Sequence, residues 1–201
     1  AIGAIAPEGT VLVHVVRDPR SVAASMMMGK GRKRAADYVR PDVFFEERER
    51  RKLWSSRQLS KLLMERPEYS ALNNPPNYLR ILLVWKHTFE NTWRDARRLF
   101  GDRYVLLRNE ELRADTAGAI ARVYETAGRE APPQVTGWAR DKVRPPEVPF
   151  AAEDERWSQA FAALDMAAAL TDAGYPELAA AANEAASAAG GGRLRGLLGR
   201  R

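Results

Sequence analysis

The chain has 201 residues, of which 45% are hydrophobic and 29% charged, enough for one sizeable globular core. The absence of cysteine excludes disulfides, thiolate metal sites and a cysteine nucleophile, and with only two histidines, His14 and His87, we expect no metal. No apolar run approaches the roughly 20 residues that span a bilayer. The N-terminal AIGAIAPEG lacks the basic start of a secretory signal. We therefore expect a cytoplasmic protein with no transmembrane segment.

The net charge of +6 is concentrated at the C-terminus. Residues 190–201 form a glycine-rich, low-complexity tail that carries +4 and no acid, and we predict that this tail is disordered. The rest of the chain carries only +2. A body so close to neutral does not need a polyanionic partner, and we expect no nucleic acid.

The stretch from Thr10 to Met28 predicts a strand, a tight turn and a helix. Val11–Val16 is a continuous apolar run, typical of a parallel strand covered on both faces, and the helix is expected from Pro19 to Met28. Arg17 follows the strand and Ser25 lies eight positions later on the helix. A guanidinium and a hydroxyl near a helix N-terminus suit a phosphate. The alternative is that Arg17 pairs with an acid such as Asp18 and that Ser25 has no special role.

The remaining pattern is mostly helical, with one further short strand. Residues 30–76 form a charged insertion of helix and loop. Later elements are a helix over Leu79–Phe100, a strand over Tyr104–Leu107, a helix capped by Asp115 or Thr116, a helix from Trp157 stopped by Gly174, and a helix after Pro176. Strands separated by helices indicate an α/β fold.

Several polar residues admit two interpretations. We expect His14 to be a hydrogen-bonded core residue and His87 to lie on an exposed helix flank. Arg108 and Glu110 form either a structural ion pair at a strand end or a ligand contact. We assign no residue-level role to the basic cluster Arg140, Lys142 and Arg144.

Four segments, in the same order along the chain, resemble sulfotransferases that use 3′-phosphoadenosine 5′-phosphosulfate (PAPS). VVRDPRSVAAS, in which Ser follows Arg by eight positions, is similar to the segment that binds the 3′-phosphate. YVLLRNEEL and AIARVYETAG are similar to the family's next strand and helix. Trp157 followed by Gly174-Tyr175 is similar to the closing helix of the family's carbohydrate branch. The RDPR opening is also closest to this branch and its bacterial relatives.

This resemblance implies a fold and a reaction. It implies a parallel sheet flanked by helices, like that of P-loop nucleotide kinases, and transfer of a sulfuryl group from PAPS to a hydroxyl or amine of a small molecule or carbohydrate. Arg17 and Ser25 would bind the 3′-phosphate, and Arg20 would face the nucleotide, the acceptor or solvent. The charged insertion over residues 30–76 would be an acceptor-binding lid or a solvated helix. No residue matches the family's catalytic base or its 5′-phosphosulfate loop, which lies upstream of the Arg…Ser segment in that family, and Asn109 stands where the family usually has Tyr.

We therefore expect residues 1–189 to be an N-terminally incomplete sulfotransferase domain. The alternative is a non-catalytic nucleotide-binding or interaction module. A P-loop phosphotransferase would require a GxxxxGK[ST] loop, which these residues do not contain. The sequence does not identify the acceptor, the catalytic base or the oligomeric state.

Overall fold

The computed structural model describes residues 6–28, 40–49, 54–69, 72, 74–146 and 148–190. Two strands, β1 and β2, and ten helices, α1 to α10, follow one another along this part of the chain, with short 3₁₀ turns at Pro67–Tyr69 and Gly101–Arg103. Their bounds, in chain order, are β1 Leu12–Val16, α1 Pro19–Met28, α2 Pro41–Glu49, α3 Trp54–Met64, α4 Asn77–Phe100, β2 Tyr104–Arg108, α5 Asn109–Ala114, α6 Thr116–Thr126, α7 Pro133–Lys142, α8 Glu155–Ala163, α9 Ala167–Asp172 and α10 Pro176–Gly190. The fold is α/β and mostly helical, as predicted at that level.

The chain divides into two compact units. The first, called here the sheet unit, comprises Ala1–Asp18 and Phe89–Glu147, and the second, the helical unit, comprises Pro19–Thr88 and Val148–Arg201. Helix α4 contributes its first half to the helical unit and its second half to the sheet unit.

The sheet unit is built on parallel pairing of β1 with β2. Leu12 lies opposite Tyr104, and the register continues to Val16 opposite Arg108. Val105 and Leu107 point to one face of β2, where they pack with Ala119 of α6, and Val123 and Leu112 extend this cluster. Helix α6 begins as predicted, because the Asp115 side chain accepts a hydrogen bond from the Gly118 N–H at 2.9 Å.

The prediction that β1 is covered on both faces is wrong for the described residues. Val13 and Val15 are 37% and 48% exposed, whereas Val16 is buried. Val13 and Val15 lie on the same face of the sheet as Val105 and Leu107 of β2. Helix α6 contacts β2 on this face, so Val105 and Leu107 are buried, whereas Val13 and Val15 are exposed. A continuous apolar run therefore overestimates the burial of this strand.

The helical unit has an aromatic core. Phe45 of α2 lies edge-on to Tyr78 of α4 and to Trp157 of α8, with ring centroids 5.3 and 5.2 Å apart. Phe44 packs on Phe150 at 4.6 Å. Helices α8 and α9 pack against α10. Two phenylalanines on successive positions of α2 therefore hold that helix in the core.

This core includes part of the predicted charged insertion over residues 30–76. Phe44 and Phe45 are 0% and 5% exposed, so α2 is a packed element of the helical unit. Residues 30–39, 50–53, 70, 71 and 73 of the insertion lie outside the described residues, as does the predicted tail from residue 191 onward. The lid and the disordered tail therefore stay predictions.

Where one helix was predicted from Trp157 to Gly174, the structure has α8 and α9. The chain leaves the helix at Leu164, and Asp165 adopts a left-handed conformation with φ of 49°. The buried Lys86 side chain donates to the Leu164 carbonyl at 2.8 Å. A lysine at the C-terminal end of a helix donates a hydrogen bond to a carbonyl that has no partner in the helix. Its positive charge also interacts favourably with the negative end of the helix dipole. This long-range contact accompanies the break and is invisible in the local pattern.

We expect Lys86→Met to lower the free energy of unfolding by about 2 kcal/mol, because the substitution removes a charge-assisted hydrogen bond from a buried carbonyl. Urea denaturation measures this change. Lys61→Met on α3 is the matched control, because Lys61 is exposed. Equal effects of the two substitutions would contradict a structural role for Lys86.

Candidate functional site

The carboxyl ends of both strands lie at one edge of the sheet. Since Val16 pairs with Arg108, the residues that follow, Arg17 and Asn109, leave the sheet side by side. Ligands of open parallel sheets bind beyond this edge. Arg17 is half-buried there. The structure therefore places the predicted phosphate-binding arginine where such a ligand would meet the sheet unit.

A carboxylate fixes the backbone that follows Arg17. Glu110, on the first turn of α5, accepts the backbone N–H of Asp18 at Oε1, with an N–O distance of 3.1 Å. Asp18 is only 4% exposed, so its amide has little access to water. Arg17 lies between two anchored positions, the ladder residue Val16 and the Glu110-bound Asp18.

The neighbouring Glu111 carboxylate lies among arginines. Arg108 donates to Oε1 of Glu111 through Nε at 2.9 Å, and its Nη2 lies 2.7 Å from the same oxygen. Arg122 of α6 lies 3.8 Å from Oε2, and its Nη2 also donates to the Leu106 carbonyl at 3.1 Å. These contacts support the ion-pair interpretation of Arg108, with Glu111 as the acid.

The second predicted site residue, Ser25, lies on the exposed side of α1. The division between the units falls between Asp18 and Pro19, so Arg17 belongs to the sheet unit and Ser25 to the helical unit. The faces of α1 that turn inward carry the small or apolar residues Ser21, Ala23, Ala24, Met27 and Met28. The Ser25 side chain is therefore not part of the core of its helix.

Arg20, the third polar residue of this segment, lines a cleft of about 350 Å³ in the helical unit. Its Nη1 donates to the Ala152 carbonyl at 2.9 Å. The cleft is formed by the first turns of α8 and α10 and by the loop before α8, and it contains neither Arg17 nor Ser25. Arg20 thus has a structural contact in its own unit.

A hydrogen-bonded pair joins β1 to β2 on the sheet face opposite the Val105 cluster. Nδ1 of His14 and the Tyr104 hydroxyl are 2.9 Å apart, and the His14 ring stacks on Phe89 at 5.7 Å. Burial lowers the pKa of His14 below its ordinary value of 6.5. Burial also raises the pKa of Tyr104 to about 12, against the opposing effect of Arg97. His14 is thus the hydrogen-bonded, packed residue that the sequence predicts.

The basic cluster after α6 is only partly described. Arg144 is exposed, and its carbonyl accepts from Nε of Arg113 at 2.8 Å. The side chains of Arg140 and Lys142 lie outside what the structure describes.

The contact of Glu110 with the Asp18 amide was not predicted from the sequence. A side chain that binds a backbone N–H 92 positions away leaves no local pattern.

Comparisons of the chain with models of protein families, with curated proteins and with solved structures found no match. Within the described ranges, no group of three or more His, Cys, Asp or Glu side chains is placed so that it could hold a metal ion. In the same part of the chain, every helix is too short or too polar to cross a membrane.

We expect the free energy of unfolding to rise as the pH increases towards 6.5 and then to level off. The folded state has the lower His14 pKa, so below 6.5 the unfolded state binds more protons, and acid favours unfolding. Urea denaturation at a series of pH values measures this dependence. His14→Gln should flatten it, whereas His87→Gln, which retains His14, should preserve it. An unchanged profile in His14→Gln would show that His14 is not responsible.

Proposed function

We propose that the chain is the nucleotide-binding part of a sulfotransferase that transfers a sulfuryl group from PAPS to a hydroxyl or amine of a small-molecule or carbohydrate acceptor. The observation that carries the proposal is the position of Arg17, at the carboxyl edge of a parallel strand pair and held between two anchored backbone positions. The resemblance of VVRDPRSVAAS and YVLLRNEEL to the family's segments supports PAPS as the ligand. A kinase-like P-loop sheet is part of this proposal.

Arg17 suits the 3′-phosphate of the donor for a chemical reason. Its guanidinium is permanently charged and offers several N–H donors in a plane, a geometry that matches two oxygens of one phosphate. A lysine in its place would supply only a point charge. Arg17 follows β1 directly at the carboxyl edge of the strand pair, and its match to the family's arginine is why we assign it to the ligand.

By the resemblance, Ser25 is assigned a neutral hydrogen bond to the 3′-phosphate. Its hydroxyl is on the exposed side of α1, so a ligand can reach it without displacing core residues. A neutral donor contributes less than a guanidinium, and we assign Ser25 the smaller share of the affinity.

The reaction itself would depend mainly on positioning and on neutralising charge, as phosphoryl transfer does. The bond between sulfur and the bridging oxygen of the donor breaks, and sulfur bonds to the acceptor oxygen or nitrogen. The acceptor proton passes to a base that we do not assign to any residue of this sequence. Arg17 would bind the donor far from the reacting sulfur and contribute to binding rather than to the chemical step.

Calorimetric titration of adenosine 3′,5′-bisphosphate, with AMP in parallel, tests the nucleotide site. We expect the bisphosphate to bind more tightly than AMP, since only the bisphosphate carries the 3′-phosphate. Arg17→Ala should weaken bisphosphate binding about 30-fold and Ser25→Ala about fivefold, with no change for AMP. Arg94→Ala is the matched control, because Arg94 is an exposed arginine of α4 in the sheet unit.

Equal affinities for the two nucleotides, or an unaltered bisphosphate affinity in Arg17→Ala, would contradict the proposed site. A transfer assay separates the enzyme from the alternative. Bisphosphate binding without sulfuryl transfer from PAPS to any of a panel of alcohols, amines and sugars would favour the non-catalytic binding module.

A further inference from the structure

We propose that Glu110 is a positioning residue for the Arg17 phosphate site: its carboxylate holds the Asp18 amide and thereby sets where Arg17 leaves β1. The contact itself is independent of any ligand, whereas its consequence for a phosphate rests on the proposed function. The two parts are therefore tested separately.

The argument begins with the geometry of three successive residues. Val16 is fixed by its pairing with Arg108, and Asp18 is fixed by the 3.1 Å hydrogen bond from its N–H to Oε1 of Glu110. Only Arg17 separates these two anchors. Two anchored neighbours leave a residue little freedom in its backbone dihedrals, so the direction in which the Arg17 side chain leaves the backbone is set before a ligand arrives. Ordering this backbone in advance removes part of the entropic cost of binding.

Adjacent acids on α5 have different partners. Glu111 contacts Arg108 and Arg122, so its charge is offset by two guanidiniums. Glu110 receives a backbone amide of the other strand's C-terminal loop. Helix α5 follows β2 directly. Glu111 links this helix to β2, and Glu110 links it to the end of β1.

The carboxylate has two opposing effects on a phosphate at Arg17. As a hydrogen-bond acceptor it orders the loop, which favours binding. As a negative charge it repels the anion, which disfavours binding. Glutamine retains a side-chain oxygen that accepts the Asp18 amide but carries no charge. Glu110→Ala removes both effects, so comparing Ala with Gln at this position separates positioning from charge.

The first test follows the Asp18 amide by NMR in the ¹⁵N-labelled full chain. We expect Glu110→Ala to accelerate hydrogen exchange at this amide about tenfold, the loss of one hydrogen bond, with other amides of the sheet unit unchanged. Glu110→Gln should restore slow exchange. Glu125→Ala on α6 is the matched control, since Glu125 is exposed and in the same unit.

Unchanged exchange at Asp18 in Glu110→Ala, or equal acceleration throughout the sheet unit, would overturn the positioning role. A measurement on the unsubstituted chain keeps the proposal testable if Glu110→Ala does not fold. The Asp18 amide should exchange much more slowly than the same amide in an unstructured peptide, and exchange at the peptide's rate would overturn the contact.

The second test repeats the nucleotide titrations. Glu110→Ala should reduce the preference for the 3′,5′-bisphosphate over AMP about fivefold, and Glu110→Gln should preserve or increase this preference. An equal loss of affinity for the two nucleotides in Glu110→Ala would indicate a general structural role of Glu110 and overturn the proposal. If the unsubstituted chain shows no preference for the bisphosphate, the proposed function fails, and the Asp18 measurements still decide whether Glu110 positions the loop.

Discussion

The parallel pairing of β1 with β2 is the constraint on which the candidate site depends. Parallel strands end at the same edge of a sheet, so the register that sets Val16 opposite Arg108 brings together the loop after β1 and the start of α5, which are distant in sequence. Arg17 and Glu110 become neighbours in space only through this register. A slip of one residue would turn Val105 and Leu107 away from α6, and the apolar cluster therefore holds the register.

Charge at this edge is divided among specific pairs. Glu111 lies between Arg108 and Arg122, while Glu110 receives a backbone N–H. The two arginines link β2 and α6 to Glu111 of α5, and Arg17 is the guanidinium that we propose for a ligand. Such exposed or half-exposed ion pairs contribute little to stability individually, so their value here is geometric.

The helical unit is stabilised by a different kind of interaction. Phe44 and Phe45 bring α2 into a core with Tyr78 and Trp157, and the Lys86 ammonium binds the carbonyl at which α8 ends. The burial of aromatic surface stabilises this core, and the lysine satisfies a carbonyl at the place where the helix stops. The charged composition of residues 30–76 does not indicate that α2 packs in a core, because the two phenylalanines stand among many polar residues.

The sequence by itself determined the local elements: a valine-rich strand before Pro19, a helix over Leu79–Phe100 with apolar residues three and four apart, and a helix start at Asp115 or Thr116. The structure has the helix over Asn77–Phe100 and the cap at Asp115. These depend on periodicity and on capping within a few residues. Only the tertiary structure decided that one face of β1 is exposed, that the segment after Trp157 is two helices, and that Glu110 binds Asp18. Each of these depends on contacts between residues far apart in the chain, which no local pattern encodes.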